Sequence, residues 1–223
     1  MLPGKIFIPD GCVQHGKRVF IMKKQVFWQL PEHYYLHHDL RLAEDRHSLI
    51  VLLVLQTAAV VLTFAAGLLV CPLKSAFEMG PARTITGLGF MCIGLIVYIV
   101  AHEWVHGMAI RFITGRQADF GFELKKGMAY AGCDAYLGKK AYLIIALAPL
   151  LFWGAVLFIL AHEAPESWFW YIYGIQIMNV SGSVGDLYVT YLTLKAPEGT
   201  IVRDFGTSMM FYSPENNLKE RKQ

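Results

Sequence analysis

His102 and His106 flank a glutamate in the run His102-Glu103-Trp104-Val105-His106. On an α-helix, residues four apart project from one face, about 40° from each other, so two imidazoles at this spacing can grip one metal ion. The ion expected for this H-E-x-x-H pattern is Zn2+, and Glu103 between the ligands can reach a zinc-bound water as general base. In a soluble helix the pattern arises easily by chance. Here it closes an apolar run, where each ionisable group costs on the order of 2 kcal/mol or more near the bilayer centre and less near its edge. A polar cap at the helix end is the plain alternative, and it has three ionisable groups in one turn to explain.

A third ligand must come from another element at the same depth. Asp186 is the only charged residue between positions 168 and 194. His102 lies about 26 Å along a helix begun at Ile85, and Asp186 about 27 Å along one begun at Trp168. If both helices run inward, both residues reach one edge of the hydrocarbon. Asn179, Ser183 and Asp186 follow i, i+4, i+7 and form one polar stripe, in which Asn179 is a candidate donor to substrate or to an oxyanion. Gly182 and Gly185 beside it are expected to let another helix approach closely. For Asp186 the plain alternative is a buried carboxylate that only ties helices together.

The elements that must position these groups are apolar. Of 223 residues, 55% are hydrophobic and 17% charged, and mean hydropathy is +0.42; soluble domains carry nearer a quarter charged residues. Disorder, a coiled coil and a disulfide-built secreted domain are thereby excluded. Cys12, Cys71, Cys92 and Cys133 form no C-x-x-C pair, so neither a disulfide framework nor a thiolate cluster is expected. The first 47 residues contain no apolar core of the length a cleavable signal peptide needs.

Residues 48–70, 85–101, 141–161 and 168–194 are four apolar runs near or above the 20 or so residues that cross a bilayer. They predict an all-α membrane protein of the multi-pass type, with four transmembrane helices and Pro149 as a kink in the third. Eighteen of the twenty lysines and arginines fall on one side of these spans. The positive-inside rule makes that side cytoplasmic, so both termini are expected there, in the cell membrane. Residues 120–136 alternate around Lys125-Lys126-Gly127 and predict a small cytoplasmic β-hairpin between helices 2 and 3. Residues 17–28 suit either a short strand or an interfacial element. The expected division is a cytoplasmic N-terminal segment (1–47), a four-helix membrane domain (48–194) and a cytoplasmic tail (195–223).

Ala101-His102-Glu103-Trp104-Val105-His106-Gly107 on a membrane helix is followed by the hairpin-like segment, then Ala148-Pro149, then N-x-x-x-S-x-x-D from Asn179 to Asp186, then Val202-Arg203-Asp204. Over roughly residues 85–205 this order resembles the putative zincin peptidase family of membrane proteins. More distantly it is similar to the site-2 intramembrane zinc proteases, although Ser183-Val184-Gly185-Asp186 stands where an N-P-D-G type of motif would be. The resemblance implies zinc on His102, His106 and Asp186, with Glu103 as the catalytic glutamate. The activity it implies is hydrolysis of peptide bonds in membrane-tethered polypeptides near the cytoplasmic face. The alternative is a non-catalytic metal-binding or pseudoprotease helix-binding protein, for which Glu103 would be unnecessary. Besides the bilayer, the expected partner is that polypeptide, presented as an extended strand to the hairpin edge; no nucleic acid is expected.

His33-Tyr34-Tyr35-Leu36-His37-His38 resembles one histidine box of membrane di-iron enzymes. Those enzymes need several boxes, and no second His-His pair exists in the chain. The run is therefore read as an amphipathic surface stretch before the first span.

Overall fold

Helix boundaries fall where the sequence supplies caps. Helix α1 (Arg46–Val70) starts at Asp45, whose carboxylate accepts the Ser48 and His47 N–H groups at 2.9 and 3.3 Å, and stops before Pro72. Helix α2 (Pro81–Thr114) begins with Gly80-Pro81. It ends at left-handed Gly115 (φ 75°), whose N–H bonds the Arg111 carbonyl. Its 34 residues run about 51 Å. The helix thus continues past the 85–101 run and past Gly107 to the left-handed Gly115. Helix α3 (Lys139–Glu163) contains Pro149 and ends before Pro165.

The structure, a computed structural model, describes residues 25–41, 44–78, 80–123, 128–206 and 208–215. It is mostly helical, and three helices (α1, α2 and α3) are long and apolar enough to cross a membrane. The 168–194 stretch is not the single helix expected. It is split at Ser183 into α4 (Glu166–Gly182) and α5 (Val184–Lys195). Ser183 sits at φ −79°, ψ 6°, and Gly182 precedes it, so two poor helix formers meet at the break. The break puts Asp186 in the first turn of a new helix, where the helix dipole favours a carboxylate.

The expected all-α architecture is corrected by a five-stranded antiparallel sheet. Its strands are β1 (Val26–Phe27), β2 (Tyr34–Leu40), β5 (Tyr136–Gly138), β6 (Ile201–Asp204) and β7 (Met209–Pro214), in the order β1-β5-β6-β7-β2. The 33–38 histidine run is thus mostly edge strand β2, and only the end of the 17–28 segment is strand; residues 17–24 lie outside the described residues. The hairpin is present as β3 (Asp119–Glu123) paired with β4 (Met128–Gly132), its expected turn at 125–127 again lying outside them.

One buried cluster, including Ile110, Tyr142, Ile145, Val189, Val202 and Phe211, packs the sheet against the ends of α2, α3 and α5. Tyr98, Leu157 and Ile175 pack the middle of the helices, and Cys71, Ala161, Phe169 and Trp170 pack the far end. Helices α2 and α4 approach closely at Gly87, where a Cβ would lie 2.4 Å from the Tyr171 ring. Gly182 and Gly185 play no such part, since no neighbouring helix presses on either. They line a cleft beside Asp186 instead.

Candidate metal centre

The cleft lies where the helix bundle meets the sheet. Its volume is about 270 Å³, and its lining includes His102, Glu103, His106, Asp186, Tyr142 and Asp204. Helix α2 supplies the first three and α5 supplies Asp186. His102 Nε2 is 3.4 Å from Asp186 Oδ2, and His106 Nε2 is 3.5 Å from Asp186 Oδ1. One ligand atom from each of the three residues lies within 4.8 Å of the others. Among the described residues this is the one group of three such side chains that converges.

These separations suit a shared ion better than direct hydrogen bonds, which centre near 2.9 Å. Ligand atoms placed about 2.05 Å from a tetrahedral zinc are about 3.3 Å apart. The donor set also fits, being two imidazole nitrogens and a carboxylate, which is the composition of catalytic zinc sites that keep one position open.

The outer nitrogens of both rings are fixed. His106 Nδ1 is 2.9 Å from the Ile145 carbonyl, which can only accept, so Nδ1 carries the proton. That carbonyl is available because of Pro149. In an α-helix the Ile145 oxygen would take the N–H of residue 149, and proline has none. His102 Nδ1 is 2.8 Å from the Tyr98 hydroxyl, whose own proton goes to Asn179 Oδ1 at 2.9 Å. The tyrosine must therefore accept from His102. Both Nε2 lone pairs are left facing Asp186, the arrangement in which outer hydrogen bonds orient metal ligands.

Asn179 is fully buried, and its Nδ2 donates to the Leu150 carbonyl at 3.3 Å. It is placed behind His102 and does not line the cleft. Glu103 does line it, within electrostatic reach of His102, His106 and Asp186, with the Ala131 N–H of β4 beside its carboxylate.

Tyr98 and Tyr142 were not read from the sequence, and Asp204 was named there only within Val202-Arg203-Asp204, with no role. Tyr98 stands four residues before His102, a spacing at which helical side chains meet, and that was its available signal. Tyr142 and Asp204 join across the cleft, the Tyr142 hydroxyl donating to Asp204 Oδ2 at 3.0 Å while the Gly206 N–H donates to Oδ1 at 2.7 Å. Burial pushes the Asp204 carboxyl above its ordinary range, and these two donors offset part of that rise.

Replacing Tyr98 with Phe leaves the His102 Nδ1–H without its acceptor. The expected result is a 10- to 100-fold loss of zinc affinity, the usual cost of losing an outer-shell partner, measured by competition with a chromophoric chelator.

Residues 95–201 match a protein family described as putative zincin peptidase. Over 125 residues the chain is 30% identical to an "Uncharacterized 24.7 kDa protein in gap 5'region" of Pyrococcus woesei, a stretch covering 55% of this chain and 54% of that protein. The match thus spans about half the relative's length. No solved structure matches the chain. His102, Glu103, His106 and Asp186 all fall inside residues 95–201, the stretch that is similar to the putative zincin peptidase family.

Proposed function

We propose that this protein is an integral-membrane zinc metallopeptidase that cuts membrane-tethered polypeptides near the cytoplasmic face. The observation that carries this reading is the convergence of His102, His106 and Asp186, at 3.4 and 3.5 Å, in one cleft with Glu103. Helices α1, α2 and α3 cross the bilayer, and α4 with α5 completes a fourth crossing. Large apolar side chains exposed along the long helices, among them Leu62, Leu69 and Ile96, face lipid. The lysine and arginine bias places both termini, the sheet and the site on the cytoplasmic side. His102 lies 21 positions beyond Pro81, about 32 Å along the helix, which is the thickness of the hydrocarbon layer.

His102, His106 and Asp186 would hold zinc, which when bound would supply Lewis acidity to a water in its open position. Glu103 takes a proton from the attacking water as its oxygen bonds to the scissile carbonyl carbon. It returns that proton to the amide nitrogen as the C–N bond breaks, leaving a carboxylate and an amine. Tyr98 and Asn179 act as positioning residues for His102, and the Ile145 carbonyl does so for His106.

A peptide bond within a helix is shielded, so the substrate must unwind, exposing polar backbone that lipid cannot satisfy. The β4 edge can satisfy it by pairing with the substrate as an added strand. Ala129, Tyr130 and Ala131 of β4 line the cleft. With the Ala131 N–H turned to Glu103, the Ala129 N–H two residues back points the same way, away from β3.

The test uses purified protein in lipid vesicles with a single-span reporter. Cleavage should stop with a chelator and return with zinc. Zinc binding without any cleavage would leave a metal-binding protein. Proline at Ala129 removes one outward N–H and spares the β3 ladder. Reporter cleavage should fall about tenfold, as expected for one lost hydrogen bond in a desolvated cleft, at unchanged zinc content. Equal cleavage of a soluble unstructured peptide would overturn strand presentation.

A further inference from the structure

Asp204 lines the same cleft as the metal ligands, from the sheet side, at the end of β6. It is half-buried and accepts from two neutral donors, the Tyr142 hydroxyl and the Gly206 N–H. Among the described residues, no lysine or arginine lines the cleft. The nearby cations are engaged elsewhere. Arg203 points from the opposite face of β6, with Nη2 3.3 Å from Asp134 Oδ1 and its guanidinium stacked 4.5 Å from the Phe205 ring centre. Lys139 donates to the carbonyls of Leu194 and Ala196 at the end of α5.

The charge balance follows. Glu103, Asp186 and Asp204 place three carboxylates around the cleft, and a divalent ion offsets only two. Asp204 is the carboxylate that stands on the sheet side of the cleft, opposite the metal-binding helix in its connections. Burying its carboxylate is costly, and the cationic-capable side chain that acts on it among the described residues is His106.

We infer that Asp204 is a specificity-determining residue that pairs with a lysine or arginine side chain of the substrate, close to the bond that is cut. This rests on the peptidase reading above and narrows its substrate class. Cytoplasmic segments that adjoin membrane spans are enriched in Lys and Arg, so a cleft at that edge meets such side chains more than any other charge. A strand laid along β4 alternates its side chains between two faces, and one of those faces turns toward β6 and Asp204. The Tyr142 hydroxyl holds the carboxylate in place for the pairing.

Binding is measured on Glu103→Gln protein in lipid nanodiscs, so that turnover does not enter. The probes are fluorescent single-span reporters with one Lys, Gln or Glu scanned through the juxtamembrane segment. At one position Lys should bind about tenfold more tightly than Glu, on the scale of a charge-assisted hydrogen bond in a partly desolvated site. Asp204→Asn keeps an acceptor for the Gly206 N–H and should level the series at that position. Asp204→Lys should invert it, and Asp204→Glu should keep the Lys preference. A loss of fold would abolish binding of every probe at every position, and it cannot produce the inversion in Asp204→Lys or the retained preference in Asp204→Glu. The inference is overturned if no position prefers Lys, or if the preference survives in Asp204→Asn. Reporters that bind with this preference yet are never cut by the unaltered protein would sink the peptidase reading alone. Reporters cut without regard to charge would sink the Asp204 assignment alone.

Discussion

Glu103→Gln should bind zinc normally and lose at least a few hundredfold in turnover, the scale on which a general base contributes. The substitution preserves side-chain volume and leaves His102, His106 and Asp186 untouched, together with the outer hydrogen bonds that fix both rings. What disappears is the carboxylate that adjoins the two histidines and is placed to carry a proton between water and amine. The Ala131 N–H, which sits beside the carboxylate, can still bond the amide oxygen of glutamine, so the hairpin keeps its seat. The measurement pairs single-turnover cleavage of the vesicle reporter with metal analysis of the same sample. Full activity in this variant would remove Glu103 from the mechanism.

The second large effect belongs to Asp186. Its two oxygens lie 3.4 and 3.5 Å from the two Nε2 atoms, so Asp186→Ala removes a ligand from both sides of the site at once. Zinc affinity should drop more than 100-fold, beyond the range seen when only an outer-shell partner is lost. Protein purified without added metal should then contain almost none. Asp186→Asn separates charge from shape, because the amide keeps the volume but offers a weaker ligand, and its zinc affinity should fall between the two. Unchanged zinc content in Asp186→Ala would exclude Asp186 as a ligand.

Much of the site was legible in the sequence for a simple reason: the helical repeat is fixed. Four-residue spacing puts His102 and His106 on one face, and counting rise per residue from each span's start brought Asp186 to the same depth. That count survived the break at Ser183, because one non-helical residue shifts the axis little along its length. The sheet was far harder to read. Strand β5 has three residues and β6 four, too few to show a period of two. Their partners lie far apart in the chain, as Val26 pairs with Leu137 and Leu36 with Tyr212. Only β7 displays a clean alternation, with Met209, Phe211 and Ser213 inward. Tyr98 escaped notice because an aromatic within an apolar run looks ordinary until its neighbour across the bundle is known; Asp204 entered through the family resemblance, but a lone acid after a span gives no sign of the cleft it lines.

The proline in α3 has a consequence for assembly. A helix that lacks the N–H of residue 149 carries one carbonyl, that of Ile145, with no donor of its own. In lipid no water can fill the gap, and until α3 seats against α2 the His106 ring likewise has nothing to hold its orientation. Docking of the two helices settles both debts with one hydrogen bond. By linkage, whatever strengthens that bond from one end strengthens it from the other. A cation held at Nε2 polarises the ring and makes Nδ1–H a better donor, so metal capture and helix association reinforce each other. A chain whose third long helix is misregistered therefore presents a loosely held imidazole and retains metal poorly. The bundle arms its own chemistry only after it has been put together correctly.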